Sequence, residues 1–120
     1  MAQEEELNWA APEILREEAH TEASDVYSFG MILLEMLTGE VPHAGRSPAQ
    51  IVGTVGYFGD KLKAPKASKE LRHLVNNCLL FEPERRPNFQ DIVKHLDKVE
   101  QQPREESKNP YIGNLKDFLS

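Results

Sequence analysis

The chain has 120 residues, 20 of them acidic and 14 basic, and its formal net charge of −6 argues against a surface built to neutralise nucleic-acid phosphates. Its one cysteine, Cys78, excludes an internal disulfide and a thiolate metal cluster, and favours a reducing, cytoplasmic setting. The acidic start MAQEEELN predicts no signal peptide, and the longest apolar stretch is shorter than the roughly 20 residues of a membrane span. We expect one soluble domain that binds neither nucleic acid nor membrane.

The first predicted helices have contrasting character. Pro12 opens a short helix, since proline is favoured in the first helical position. The following segment, SDVYSFGMILLEMLTGE, is apolar on nearly every side of a helical wheel between Val26 and Leu37. Gly39 is a typical C-terminal cap, and Pro42 prevents continuation. A helix this apolar is expected to be surrounded by other elements.

Three later segments carry clear helix starts. Ser47 is the predicted N-cap of SPAQIV, with Pro48 in the first position and Gln50 completing a capping box. Ser68 and Asn88 precede two amphipathic helices. The apolar stripes of these two helices are Leu71, Leu74, Val75, Cys78 and Leu79 in the first, and Phe89, Ile92, Val93, Leu96 and Val99 in the second.

The remaining segments are predicted to be connections and a terminal helix. Residues 53–67 contain three glycines and a proline, which predicts a long loop over the core. Residues 101–110, QQPREESKNP, have the composition of a linker after a helical domain at 1–100. Residues 111–120 predict a short amphipathic C-terminal helix, with one apolar face made of Tyr111, Ile112, Leu115, Phe118 and Leu119.

No residue pattern in the sequence points to catalysis, cofactor binding or metal binding. The glycines of GTVGYFG have neither the spacing nor the flanks of a nucleotide-binding loop. The four histidines lack the short paired spacing of a metal site, and we expect them on polar faces. Cys78 lies in an apolar stripe, which predicts a buried, inert thiol.

Three motifs, in order along the chain, resemble the C-terminal lobe of eukaryotic protein kinases. WAAPEIL is similar to the Ala-Pro-Glu motif that closes the activation segment, with Trp9 at the place of an aromatic residue of the substrate-facing loop. SDVYSFG is similar to the Asp-x-x-Ser-x-Gly core of the F helix, and CLLFEPERRPNF to the signature between the H and I helices. The matching positions are Ala11, Pro12 and Glu13 in the first motif, Asp25, Ser28 and Gly30 in the second, and Arg86 in the third.

This resemblance covers about residues 6–100 and implies a fold and several roles. The fold would be all-α, a partial kinase C-lobe with helices resembling EF, F, G, H and I. The segment SDVYSFG is most similar to the tyrosine-kinase-like branch of the family. Glu13 would form an ion pair with Arg86 that braces the end of the activation segment. Asp25 in the family accepts hydrogen bonds from the backbone of the catalytic loop.

The sequence also departs from the family in ways that bear on activity. It contains no glycine-rich phosphate loop, no Val-Ala-Ile-Lys lysine, no His-Arg-Asp loop and no Asp-Phe-Gly magnesium ligand, which kinase phosphoryl transfer requires. Glu6 stands where the family usually has threonine, and Leu79 where the tyrosine-kinase-like branch often has tryptophan. We therefore expect no Mg-ATP binding by this chain alone.

Three functional hypotheses remain open on the sequence. The first is a catalytically inactive module for protein interaction or self-association, with a candidate surface made of Val26, Phe29, Leu33, Tyr111, Leu115 and Phe118. The second is a piece of an active serine/threonine or tyrosine kinase whose ATP-binding half lies outside this chain. The third is an independent helical adaptor.

Overall fold

The computed structural model describes residues 4–62 and 64–100, and this part of the chain is helical with no strand. The α-helices are α1 (Pro12–Leu15), α2 (Glu22–Thr38), α3 (Pro48–Ile51), α4 (Lys69–Cys78) and α5 (Phe89–Glu100). Two 3-10 helices span Glu4–Trp9 and Pro83–Arg85, and a π-helix spans Val52–Tyr57. The prediction of an all-α fold is thus confirmed for the described residues. The predicted linker and C-terminal helix, with Tyr111, Leu115 and Phe118, lie outside them.

The helix ends form where the sequence predicts them. The N–H of Gln50 donates to Ser47 Oγ at 3.2 Å, and the N–H of Leu71 donates to Ser68 Oγ at 3.1 Å. The N–H of Asp91 donates to Asn88 Oδ1 at 2.8 Å. Each bond satisfies an N–H group that has no partner within its own helix. Helix α2 ends at Thr38, and its C-cap residue Gly39 adopts the left-handed conformation with a φ of 74°.

The core forms where α4 and α5 pack beside α2. It contains the predicted apolar stripes of both amphipathic helices, including Leu71, Leu74 and Val75 from α4 and Ile92 and Leu96 from α5. Gly30 permits the close approach of α4, since a Cβ at this position would lie 2.7 Å from Cys78 Cβ. The core therefore depends on a glycine in the middle of α2.

Packing of α4 and α5 corrects the prediction of an open surface on α2. The side chains of Val26, Phe29 and Leu33 are buried, with 0%, 8% and 1% of their surfaces exposed. The Phe29 ring meets the Phe89 ring edge to face, with their centroids 6.1 Å apart. These three residues of α2 belong to the core and are not available as an interaction surface in this fold.

Two further predictions are wrong at the level of local structure. The region predicted as a loop at 53–67 begins inside the π-helix Val52–Tyr57, which continues from α3 despite Gly53 and Gly56. His43, expected on a polar face, is 7% exposed, and its Nδ1 has no hydrogen-bond partner. It lies in the turn after α2 with a φ of 55°, a local conformation that the residue pattern does not reveal. No helix in the described range is long and apolar enough to cross a bilayer.

Candidate functional site

A buried ion pair joins two of the sequence motifs. Arg86 Nη1 donates to Glu13 Oε2 at 2.8 Å, and Arg86 Nη2 donates to Glu13 Oε1 at 2.9 Å, which makes the pair bidentate. The Arg86 side chain is 0% exposed and the Glu13 side chain 4%. The contact bridges 73 positions of sequence and fastens α1 to the connection between α4 and α5.

The guanidinium of Arg86 is fully satisfied by the surrounding chain. Its Nε donates to the carbonyl of Leu80 at 2.7 Å, Nη1 donates also to the carbonyl of Ala23 at 2.9 Å, and Nη2 to that of Phe81 at 3.0 Å. With the two bonds to Glu13, each of the five N–H donors has an acceptor. The guanidinium also lies 5.0 Å from the centre of the Tyr27 ring, a cation–π contact. Arg86 therefore joins α1, the start of α2 and the chain that follows α4.

The hydrogen bonds at this corner keep Glu13 ionised. Burial alone would raise the pKa of Glu13, but hydrogen bonds from Arg86, from the main chain and from Ser24 outweigh it, and the pKa lies below its ordinary value. Ser24 Oγ donates to Glu13 Oε2 at 2.8 Å. The same burial raises the pKa of Tyr27 to about 12, so its phenol stays neutral. Several hydrogen bonds therefore hold the Glu13–Arg86 pair in one geometry, and neither Glu13 nor Tyr27 changes its protonation state near neutral pH.

The start of the first motif is held against α2. Trp9 Nε1 donates to Glu35 Oε1 at 2.8 Å, and Ser28 Oγ donates to the Trp9 carbonyl at 3.0 Å. Ala11 is fully buried, and Pro12 is the first residue of α1. The segment that the resemblance identifies as the end of the activation segment thus has a fixed position on the central helix.

The three F-helix positions have different surroundings. Ser28 contacts Trp9, and Gly30 contacts α4, as described above. Asp25 points away from the core, and its Oδ1 lies 2.9 Å from His20 Nε2 in a pair whose two side chains are each 60% exposed. The resemblance implies that backbone N–H groups donate to Asp25. In the described residues, no backbone N–H group does so.

Asp25 belongs to an exposed strip on one side of α2, which we call the outer face. The strip consists of Asp25, Ser28, Ile32, Glu35 and Met36, at helical spacings of three, four, three and one. Ile32 is 43% exposed, and Ser28, Glu35 and Met36 are half-buried. Every other side of the helix between Val26 and Leu34 is buried. Ser28 and Glu35 are bonded to Trp9, so Asp25 and Ile32 are the residues of the outer face that are most open to another polypeptide.

Two features of the described residues bear on metal binding and on nucleophilic chemistry. Residues 4–62 and 64–100 contain no group of three or more His, Cys, Asp or Glu side chains placed to bind a metal ion. Cys78 is buried, and burial raises the pKa of its thiol to about 12, which makes it a poor nucleophile. The kinase motifs that hold Mg-ATP in the family do not occur in the sequence.

Two residues that hold this site in place were not predicted from the sequence. Ser24 bonds to Glu13, and Glu35 bonds to Trp9, over separations of 11 and 26 positions. Ser24 carried a local signal, since it stands three residues after Thr21 at a helix start and accepts a hydrogen bond from the Thr21 N–H. Glu35 carried only a weak signal, as the one charged residue between Val26 and Leu37.

Comparison with known proteins places the chain in a family. Residues 1–96 match the model of the protein tyrosine and serine/threonine kinase family. The probable serine/threonine-protein kinase drkC of Dictyostelium discoideum is 41% identical over 94 residues, which cover 76% of this chain and 12% of drkC. The serine/threonine-protein kinase CTR1 of Arabidopsis thaliana is 40% identical over 89 residues, covering 73% of this chain and 11% of CTR1.

A mammalian relative gives the same result. Mitogen-activated protein kinase kinase kinase 12 of Rattus norvegicus is 37% identical over 90 residues, which cover 74% of this chain and 10% of that protein. The chain belongs to the protein tyrosine and serine/threonine kinase family. It spans about a tenth of the length of these three relatives.

Proposed function

We propose that this chain is the part of a serine/threonine kinase C-terminal lobe that begins at the Ala-Pro-Glu motif, in the tyrosine-kinase-like branch. It works as a scaffold that binds the catalytic half of the kinase and does not transfer phosphate alone. The observation that carries the proposal is the buried, bidentate Glu13–Arg86 pair, because it fixes the end of an activation segment against the lobe. Names of the relatives support serine and threonine as acceptors.

The outer face of α2 supports the binding role. It presents a carboxylate, Asp25, whose partner in the described chain is an exposed histidine, beside the apolar Ile32. A catalytic-loop backbone could supply N–H donors to Asp25 and bury Ile32 in the same contact. Mg-ATP would bind to the catalytic half, and this chain would contribute no ligand to it.

A split-kinase experiment tests the proposal. The chain is mixed with the segment of a relative kinase that carries its ATP-binding lobe and catalytic loops and ends before the Ala-Pro-Glu motif. Binding is measured by isothermal titration calorimetry, and phosphotransfer by labelling of a generic serine/threonine substrate. We expect no labelling by either piece alone, and binding together with labelling when both are present.

Variants make the test specific. Asp25→Ala and Ile32→Lys, both on the outer face, should weaken binding about tenfold or more while leaving the fold intact. Lys94→Ala, an exposed change on α5, is the matched control and should bind like the original chain. Absence of binding, or equal binding by all three variants, would contradict the proposal.

The same experiment distinguishes the proposed scaffold from a second candidate function, an inactive interaction module. The apolar, exposed Ile32 in the outer face favours a binding role whether or not phosphotransfer follows. Binding that depends on Asp25 and Ile32 but gives no labelling would favour this inactive module over the active scaffold.

A further inference from the structure

A histidine pair bridges α4 and α5 on a side of the molecule that the proposed function does not use. The rings of His73, on α4, and His95, on α5, have centroids 6.1 Å apart and an angle of 48° between their planes. Helices α4 and α5 are packed together through Leu71, Leu74 and Leu96, so the two imidazoles come from a fixed framework. Twenty-two positions of sequence separate them, and no local spacing predicts the pair.

The geometry points to a two-histidine site for a divalent transition-metal ion, which we propose binds between His73 and His95 and clips α4 to α5. Imidazole nitrogen is a preferred ligand of Zn²⁺, Cu²⁺ and Ni²⁺. At metal–nitrogen distances of about 2.0–2.1 Å, two imidazoles that share one ion have centroids roughly 5–6 Å apart. The observed separation of 6.1 Å is close to this range, and His73 is exposed, so its ring has room to change rotamer.

The surroundings of His95 suit a metal ligand. The His95 ring makes a hydrogen bond with the main chain of Glu70, which helps to orient it. Metal-binding histidines are commonly held in this way.

Two protein ligands leave the other coordination positions to water, which predicts modest affinity and a preference among ions. Zn²⁺ and Cu²⁺ should bind, with Cu²⁺ the tighter of the two, whereas Mg²⁺, which prefers oxygen ligands, should not. Since the ion contacts only the folded arrangement of both helices, its binding should raise the melting temperature of the chain.

The test uses the full chain without an affinity tag, because a polyhistidine tag would bind the same ions. Zn²⁺ binding is followed by isothermal titration calorimetry and by the melting temperature, with Mg²⁺ as the ion control. We expect one Zn²⁺ per chain and a melting temperature that rises with Zn²⁺ concentration. His73→Gln, an exposed change that should preserve the fold, is expected to weaken binding tenfold or more and to abolish the rise.

His20→Gln is the matched control, since it removes an exposed histidine far along the chain at the start of α2. It should keep the zinc-dependent rise in full. Equal binding by the original chain and His73→Gln, or the same loss in His20→Gln, would overturn the proposal. The proposed function fails or holds independently, because the split-kinase experiment requires neither histidine.

Discussion

Two side-chain pairs near the start of α2, the ion pair of Glu13 with Arg86 and the contact of His20 with Asp25, differ in almost every physical respect. Glu13 and Arg86 are buried, bidentate and surrounded by further hydrogen-bond partners, whereas His20 and Asp25 make one contact with both side chains 60% exposed. Removing one partner of a buried pair strands a charge in a poorly solvated place, but an exposed charge is readily hydrated. The difference distinguishes a buried contact that holds the fold together from an exposed contact that adds little to it.

The largest expected effect comes from breaking the buried pair. Glu13→Ala should lower the free energy of unfolding by about 3–5 kcal/mol, because the guanidinium of Arg86 would remain buried without its counter-charge. Asp25→Ala, at the exposed pair, should cost less than about 1 kcal/mol. Chemical denaturation of both variants measures the contrast. Similar losses in the two variants would mean that burial does not separate the pairs.

A second contrast compares neighbouring residues on opposite sides of α2. Leu33 is 1% exposed in the core and Ile32 is 43% exposed on the outer face. Leu33→Ala should cost about 2–5 kcal/mol through lost apolar contacts and the cavity left behind. Ile32→Ala should change stability by about 0.5 kcal/mol or less. Thermal unfolding of both variants checks this, and a large loss at Ile32 would indicate that the outer face is covered in solution.

A third contrast places the same substitution at two helical glycines. Gly30→Ala should cost about 1–3 kcal/mol, because the new Cβ would lie 2.7 Å from Cys78 Cβ and 3.0 Å from Leu79 Cδ2. Gly53→Ala meets no atom within 4 Å and should be neutral or stabilising by up to about 1 kcal/mol. The sign of the two changes in melting temperature is the measurement. Destabilisation of equal size at both positions would contradict the close approach of α4.

Local patterns in the sequence predicted the helix starts at Ser47, Ser68 and Asn88, since a capping bond involves residues only three positions apart. The same patterns could not tell the outer face of α2 from its core sides, because Ile32 and Leu33 are equally apolar. That distinction depends on α4 and α5 packing on one side only.

Long-range contacts at the site show the same limit. The partnership of Glu13 with Arg86 crosses 73 positions, and only the resemblance to kinases pointed to it. The contact of Trp9 with Glu35 crosses 26 positions and was missed, because no pattern connected them. The glycines at 53 and 56 led to the prediction of a loop, but both lie in the π-helix. Glycine can adopt helical as well as loop conformations, so its presence alone does not decide between them.

The smallest expected effect extends the contrast between buried and exposed groups to histidine. Burial and the charge of Arg46 lower the pKa of His43 below its ordinary value of 6.5, against an opposing effect of Asp60. The folded state therefore favours the neutral ring, and its contribution to stability is present above pH 6.5 and lost as the pH falls below it. Stability of the original chain should decline between pH 7.5 and 5.5.

His43→Asn isolates this contribution, since asparagine tolerates the left-handed conformation that His43 adopts and does not titrate in this range. The variant should lose less stability than the original chain between pH 7.5 and 5.5, measured by denaturation at each pH. Between pH 8.5 and 7.5 the difference between the two proteins should stay constant, because the imidazole is neutral in both the folded and unfolded states. If the stabilities of the two proteins fall in parallel down to pH 5.5, protonation of His43 does not oppose folding. The His43 ring would then be as accessible to water as the ring of an exposed histidine.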